Sequence, residues 1–367
     1  MPVSSSKSRT SASSARLDPA VFDLPVEKLR SGYYTDAYFN HARATLLADG
    51  RRPEVVVQVF QKQEAYLGGM DEVIALLRLC SHDWSGLSVN ALYDGDTIAP
   101  YEPVLTIEGD YTLFAHLETV YLGTLARRTL ITTNVVRLLE ATNGKPIIFM
   151  PARHDHYRVQ TGDGYAAYVA GRIVGVSVGV TTADQASWWG GIGVGTVPHA
   201  LIAAYGGDTV LAARRFADWA PADMNITVLA DFDNDSVQTA LRVAHELGPR
   251  LWGVRLDTAE TLVDRSLWHE LGDFTPTGVN ARLVQKVRDA LDREGFSSVR
   301  IVVSGGFDVE KITAFERDGV PVDAYGVGSS LIRGANDFTA DVVTVEGRPC
   351  AKVGRHFRSS ARLERVE

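Results

Sequence analysis

The sequence predicts an α/β fold whose main part is an irregular, TIM-like α/β barrel, a parallel sheet closed or nearly closed on itself. Three observations predict it. From about residue 145, short apolar runs alternate with helical patterns. Those runs are apolar at successive positions, as strands are when helices cover both faces of a parallel sheet. No GxGxxG motif opens the first unit, which favours a barrel over a dinucleotide-binding sheet.

The elements follow in order. Lys145-Pro-Ile-Ile-Phe-Met150 reads as the first strand and Ile226–Ala230 as the second. A helix over SVQTALRVAHELG comes next, with Ser236 as its N-cap and Gly248 as its stop. Leu251–Leu256 is the third strand, and residues 279–293 form an amphipathic helix. Val299–Val303, a helix over Val309–Arg317, and Val322–Val327 complete the series. Ahead of all this, residues 1–19 are Ser-rich and basic with no apolar core, so they read as a disordered tail and not a secretory signal.

Composition narrows the function classes. At 367 residues, 45% apolar and 22% charged, the chain can fill one large or two medium domains. A net charge of −8 argues against broad binding to nucleic acid or to a membrane surface. No apolar run approaches the roughly 20 residues that span a bilayer. Cys80 and Cys350 lack metal-type spacing and suit a reducing, cytoplasmic setting.

Polar residues gather where the strands end. Asp231, Asp233 and Asp235 follow the second strand, Arg255 and Asp257 close the third, and Ser304-Gly305-Gly306 ends the fourth. Gly326-Val-Gly328-Ser329-Ser330 ends the fifth. Glycine pairs make turns and aspartates cap helices, so each feature alone is bland. Jointly they mark the carboxyl mouth of a barrel, where such folds keep their chemistry. The two glycine loops follow the last two strands, where backbone N–H groups cradle a phosphate monoester. Arg153 suits a carboxylate or phosphate. A zinc site at His154, Asp155 and His156 is disfavoured, because neighbours on a strand point opposite ways. In GVGTVPHALIAAYGGD, Thr196 leads to His199 at a loop-to-helix junction. A helix start disfavours a charged ring, so a neutral imidazole near pH 7 is expected there, with a packing role as the plainer alternative.

The series Tyr34-Thr-Asp-Ala-Tyr38-Phe39, GTVPHALI (195–202), GVRLD (253–257), SGGFD (304–308), DAYGVGSSL (323–331) and AKVGR (351–355) resembles the nicotinate phosphoribosyltransferase family, a branch of the type II phosphoribosyltransferases. The resemblance implies a smaller α/β domain of residues 20–115 with 336–367, beside a barrel of residues 116–335. It implies transfer of phosphoribose from phosphoribosyl pyrophosphate to nicotinate, with release of pyrophosphate, in NAD biosynthesis. Mg²⁺ would accompany the pyrophosphate, with Asp231 as its candidate neighbour and no dedicated protein site. ATP is a second candidate cofactor, since some members couple the reaction to it by phosphorylating the histidine that matches His199. Catalytic roles would fall to His199, Asp257, Asp231 and Arg255. Substrate contacts would come from Arg153, Thr196, Ser304, Gly305, Gly306, Gly326, Gly328 and Ser329. Tyr38 matches a tyrosine that stacks on the pyridine across a subunit interface, so a homodimer with shared sites is implied.

The chain departs from the family pattern at two places. Met150-Pro-Ala-Arg-His154 stands where Phe-Gly-x-Arg-Arg is common, so Met150 replaces a ring-stacking phenylalanine unless Phe149 shifts into its place, and Val174 stands where a polar residue near the base pocket is common. These changes leave quinolinate or another pyridine base, or a catalytically silent nucleotide-binding paralogue, as the competing readings. Trp188 and Trp189 read as packing residues. Arg127 and Arg128 face either the site or solvent, and so do Lys352 and Arg355.

Overall fold

A computed structural model describes residues 16–367 other than 271 and 273. The chain divides into two compact units, Met1–Thr129 with Asn336–Glu367, and Leu130–Ala335.

The first unit begins with α1 (Val26–Arg30), α2 (Ala37–Ala48), β1 (Glu54–Phe60), β2 (Ala65–Tyr66) and α3 (Met70–Cys80). It continues with β3 (Leu87–Ala91), β4 (Thr97–Ile98), β5 (Leu105–Asp110) and the start of α4 (Glu118–Ala141). The β1 run EVVVQVF is rich in β-branched residues that fit a pleated, buried surface. The α3 helix starts after Gly69 at φ +85°, and the Asp94 carboxylate caps it by accepting from Met70 N at 2.6 Å. The cut between units falls inside α4, not at 115/116. Leu117, Tyr121 and Leu125 belong to the first unit's hydrophobic core, and they hold that part of the helix there.

Of the expected tail, residues 1–15 lie outside the described residues. The remainder is not a tail. Arg16 donates to Asp71 Oδ1 at 3.0 Å, Leu17 N to Asp71 Oδ2 at 3.1 Å, and Pro19–Phe22 forms a 3-10 helix.

The second unit carries β6 (Ile147–Phe149), α5 (Gln160–Val174), β7 (Val178–Val180), α6 (Ala183–Ala186), α7 (His199–Ala204) and α8 (Thr209–Trp219). Then come β8 (Ile226–Leu229), α9 (Ser236–Leu247), β9 (Leu251–Leu256), α10 (Ala281–Arg293), β10 (Arg300–Val303), α11 (Val309–Arg317) and β11 (Ala324–Val327). The six strands form one sheet in the order β7-β6-β11-β10-β9-β8, parallel throughout. Val194 N donates to Val180 O of β7 at 2.7 Å, and Val197 N to Thr227 O of β8 at 2.8 Å. The 193–197 segment therefore touches both edge strands and nearly closes the barrel, as the sequence implied.

Two local expectations change. The α9 N-cap is Asp235, whose carboxylate accepts from Gln238 N at 3.3 Å, while Ser236 is the first helical residue and is buried. Strand β7 has no counterpart among the strands read from the sequence, because Val-Gly-Val is too short to show a period.

The chain returns to the first unit as β12 (Thr339–Val345), β13 (Arg348–Pro349) and β14 (Glu364–Arg365). That unit's main sheet runs β13-β12-β1-β5-β3-β14, so both ends of the chain build it. The expected small α/β domain of N- and C-terminal segments is present.

Candidate active site

His199 meets Asp231. The main-chain bond from Val197 to Thr227 of β8 fixes the start of α7 against the carboxyl end of β8, where Asp231 follows the strand. His199 Nε2 lies 3.0 Å from Asp231 Oδ1, and the Asp231 side chain is 8% exposed. The imidazole pKa is raised, first by its hydrogen bond to Asp231, against burial and the Arg255 charge, which lower it. The direction is opposite to the one expected for a histidine at a helix start. A carboxylate at hydrogen-bond distance outweighs the first turn of a six-residue helix. The pair's contribution to stability is complete below about pH 6.5 and is lost as pH rises through the higher folded-state value. In an NMR titration the His199 imidazole is expected to titrate above the ordinary histidine value. Asp231→Asn is expected to bring its midpoint down, and an unchanged midpoint would remove Asp231 as the cause.

Arg255 and Asp257 lie two residues apart at the end of β9, on one face. With Ser304, after β10, they close a triangle. Arg255 Nε donates to Ser304 Oγ at 2.7 Å, Arg255 Nη2 to Asp257 Oδ2 at 3.1 Å, and Ser304 Oγ to Asp257 Oδ1 at 2.7 Å. Ser304 is buried, and its hydroxyl is engaged on both sides. Its geometry suits orienting Asp257 more than direct contact with phosphate. Of the other two aspartates, Asp233 pairs with Arg242 at 3.5 Å and Asp235 caps α9.

The two glycine loops sit beside this triangle. Gly305 and Gly306 take φ of +87° and +66°, the left-handed region that favours glycine. A Cβ on Gly305 would lie 3.5 Å from Asp257 Oδ1, which measures how near the loop is to that carboxylate. The N-terminus of α11 does not await an anion, because Asp308 caps it by accepting from Lys311 N at 2.9 Å. The loop amides of Gly305 and Gly306 make no hydrogen bond among the described residues and remain open as donors. The second loop leads into a 3-10 helix, Ser329–Ile332, and the Ser329 hydroxyl accepts from Arg333 at 3.2 Å. Ser330 Oγ donates to Phe307 O at 3.0 Å and ties the two loops together.

Gly326, buried within β11, is required by close approach, whereas the atom nearest Gly328 belongs to an exposed histidine that can move aside. A Cβ at Gly326 would lie 2.7 Å from Met150 Cε, and one at Gly328 would lie 2.8 Å from His154 Cε1. Met150 and His154, the residues that depart from the family pattern, thus lie on the second glycine loop. Gly306→Ala would strain the backbone and collide with Glu260, so Gly328, at φ −111°, is the cleaner test. Gly328→Ala is expected to weaken binding of phosphoribosyl pyrophosphate about tenfold in calorimetry, with Tm within a few degrees of wild type. Unchanged affinity would take this loop out of the phosphate site.

Phe149 does not stand in for Met150. It is fully buried, in register between Val180 and Val327. Val174 does not bear on the mouth either. It ends α5, which feeds Val178, and Val178 pairs with Ile147 at the amino end of β6. Arg153 is exposed in the 3-10 helix Pro151–His154. That turn also replaces the strand assumed for His154–His156, and no three-ligand metal group occurs among the described residues. Thr196 lies half-buried in the bridging segment, one residue before Val197. Tyr38, in the first unit, is 62% exposed.

Elsewhere, Trp189 stacks on Tyr168 with ring centroids 4.7 Å apart, and Trp188 meets Tyr165. Arg128 pairs with Glu72 at 2.9 Å, with both side chains largely buried, so it is not a solvated cation. Arg355 pairs with Asp341 at 2.7 Å. Sequence reasoning passed over Lys311, Glu260 and Arg333, which surround the glycine loops. Lys311 was visible only as one lysine in an amphipathic helix.

Comparisons with known proteins bear on this arrangement. The family model for the N-terminal domain of quinolinate phosphoribosyl transferase matches residues 36–129. A nicotinate phosphoribosyltransferase of Mycobacterium tuberculosis is 32% identical over 273 residues, 72% of this chain and 55% of the relative. The chain spans about half the length of the curated relatives it matches. The crystal structure of a nicotinate-nucleotide pyrophosphorylase from Pyrococcus furiosus is similar at a TM-score of 0.76 and 32% identity, over 91% of this chain and 80% of that one. The human nicotinic acid phosphoribosyltransferase shares the fold at a TM-score of 0.62 and 18% identity, over 86% of this chain and 75% of that one.

Proposed function

The chain belongs to the type II phosphoribosyltransferases, and on that footing we propose that it is a nicotinate phosphoribosyltransferase, forming nicotinate mononucleotide and pyrophosphate from nicotinate and phosphoribosyl pyrophosphate. One observation carries the proposal. The His199–Asp231 pair and the Arg255–Ser304–Asp257 triangle converge at the carboxyl ends of β8, β9 and β10, next to the Gly305–Gly306 loop and to Gly328 at the end of β11. Breaking the bond from the sugar carbon to pyrophosphate puts positive charge on the ribose and negative charge on the leaving group. Carboxylates facing the sugar and cations facing the leaving group stabilise that separation. Asp257, held by Arg255 and Ser304, is oriented for ribose hydroxyls. His199, whose charged form Asp231 favours, is placed to meet the leaving pyrophosphate.

Mg²⁺ fits as an ion carried in by pyrophosphate. Asp231 has one oxygen on His199 and one that accepts no hydrogen bond among the described residues, whereas both Asp257 oxygens are engaged. One open carboxylate oxygen plus substrate phosphates and waters is an ordinary magnesium environment. Asp231 would hold the ion, and the ion would offset charge on the leaving group. ATP is a candidate co-substrate through His199, whose neutral fraction rises with pH. A homodimer is supported by α2, which has no fully buried residue in its 12 and presents Tyr38 outward. No helix among the described residues is long and apolar enough to cross a membrane. The free cysteines Cys80 and Cys350 fit a cytoplasmic setting.

The test is pyrophosphate release with nicotinate, nicotinamide and quinolinate as acceptors. Nicotinate is expected to exceed nicotinamide about tenfold in kcat/KM. Arg153 is exposed and can offer the carboxylate only a solvent-screened charge, while Arg255 is already committed to Asp257. The match to a quinolinate phosphoribosyl transferase domain favours quinolinate as the second reading. Preferred turnover of quinolinate, with loss of carbon dioxide, would establish that one instead. No turnover of any pyridine would leave the silent paralogue.

A further inference from the structure

Lys311 lies on the first turn of α11, and its ammonium turns back onto the first glycine loop. Nζ donates to Gly305 O at 3.2 Å and sits 4.2 Å from the centroid of the Phe307 ring. Phe307 is buried, with its ring packed edge-on against Phe315 and tilted against Tyr325. The lysine is thus fixed between a carbonyl and a rigid aromatic face. Burial lowers its pKa, while the Glu260 and Asp308 carboxylates oppose that shift and favour the charge. An ammonium has three donors, and a single hydrogen bond of this one is recorded among the described residues.

In a trans peptide the carbonyl and the following N–H point in opposite directions. Holding Gly305 O toward α11 therefore turns the Gly306 N–H away from it. Glycine at φ +87° and +66° has other conformations open to it, so without a tether this peptide can flip. We infer that Lys311 is a positioning residue for phosphate recognition, holding the Gly305–Gly306 peptide so that its N–H is presented to a phosphate monoester on the 304–306 loop. The inference rests on the proposed phosphoribosyl chemistry for the identity of the ligand and on the loop geometry for the role of the lysine. The lysine's charge, one peptide away from the anion, adds a favourable field.

The experiment uses the full chain with Lys311→Met, which keeps an unbranched stem on Phe307, and Lys311→Arg, which keeps the charge. Ribose 5-phosphate binding is measured by calorimetry, and KM values for phosphoribosyl pyrophosphate and nicotinate by pyrophosphate release. Lys311→Met is expected to weaken ribose 5-phosphate binding about tenfold, the effect of one charge-assisted hydrogen bond. KM for phosphoribosyl pyrophosphate should rise by a similar factor, KM for nicotinate should move less than twofold, and Lys311→Arg should recover most of the loss. Lys311→Gln replaces the methionine variant if the latter does not fold. Equal ribose 5-phosphate binding in wild type and the neutral variant overturns the inference. Loss of that binding in a protein that turns over no pyridine would overturn the proposed reaction and leave the assignment of Lys311 standing.

Discussion

Arg255→Met is expected to lower kcat/KM for the proposed nucleotide formation by about 10³-fold while the chain still folds, the upper range for removing one preorganised charge-stabilising donor. The guanidinium makes two of the three hydrogen bonds within the Arg255–Ser304–Asp257 triangle. Without it, Asp257 keeps one bond from Ser304 and is free to swing toward solvent, and the triangle loses its cation. Methionine retains the stem volume, and the Asp257 side chain at 21% exposure can rehydrate, so the stability loss stays near 1 to 2 kcal/mol. Arg255→Lys does not rescue, because a single ammonium cannot span a serine at 2.7 Å and a carboxylate at 3.1 Å in the fork geometry. Steady-state pyrophosphate release and a thermal melt check both halves. Activity within tenfold of wild type would make the triangle a structural device.

What could be read from the sequence follows the range of the forces involved. Strands β8 to β11 and the helices between them are local, each an unalternating apolar run followed by an amphipathic helix, and their bounds fell within a few residues. The mouth was legible because strand ends in a parallel barrel share one rim, which put His199, Asp231, Arg255, Asp257 and Ser304 together before any distance was known. Distance-dependent chemistry was not legible. The protonation of His199 turns on a 3.0 Å contact with a residue 32 positions away, and helix-start reasoning gave the opposite sign. Lys311 is silent in sequence because a lysine on the first turn of a helix is ordinarily solvated. Val174 misled because resemblance aligned it with a pocket, while α5 carries it to the amino end of the strands, away from the mouth. The N-cap slipped from Ser236 to Asp235 because either residue can cap, and only the main-chain conformation decides.

His199→Asn is expected to reduce kcat/KM by about 10²-fold with the fold retained, the lower range for a positioned acid or base. The histidine can act in two ways, and pH separates them. As a cation it faces the departing pyrophosphate, and Asp231 holds that cation by raising the imidazole pKa. As a neutral ring it can accept a phosphoryl group from ATP. The cationic role makes activity fall as pH rises through the raised imidazole value, and that limb should vanish in His199→Asn. It should shift to lower pH in Asp231→Asn, where the ring loses the carboxylate that holds its proton. Stimulation by ATP has the opposite sign, growing as pH rises and the ring loses its proton, and it too should disappear in His199→Asn. The side chain is 43% exposed, so removing it leaves no cavity, and a lost activity cannot be blamed on a collapsed core. Normal turnover by His199→Asn at every pH, with and without ATP, would reduce the pair with Asp231 to a tether for the start of α7.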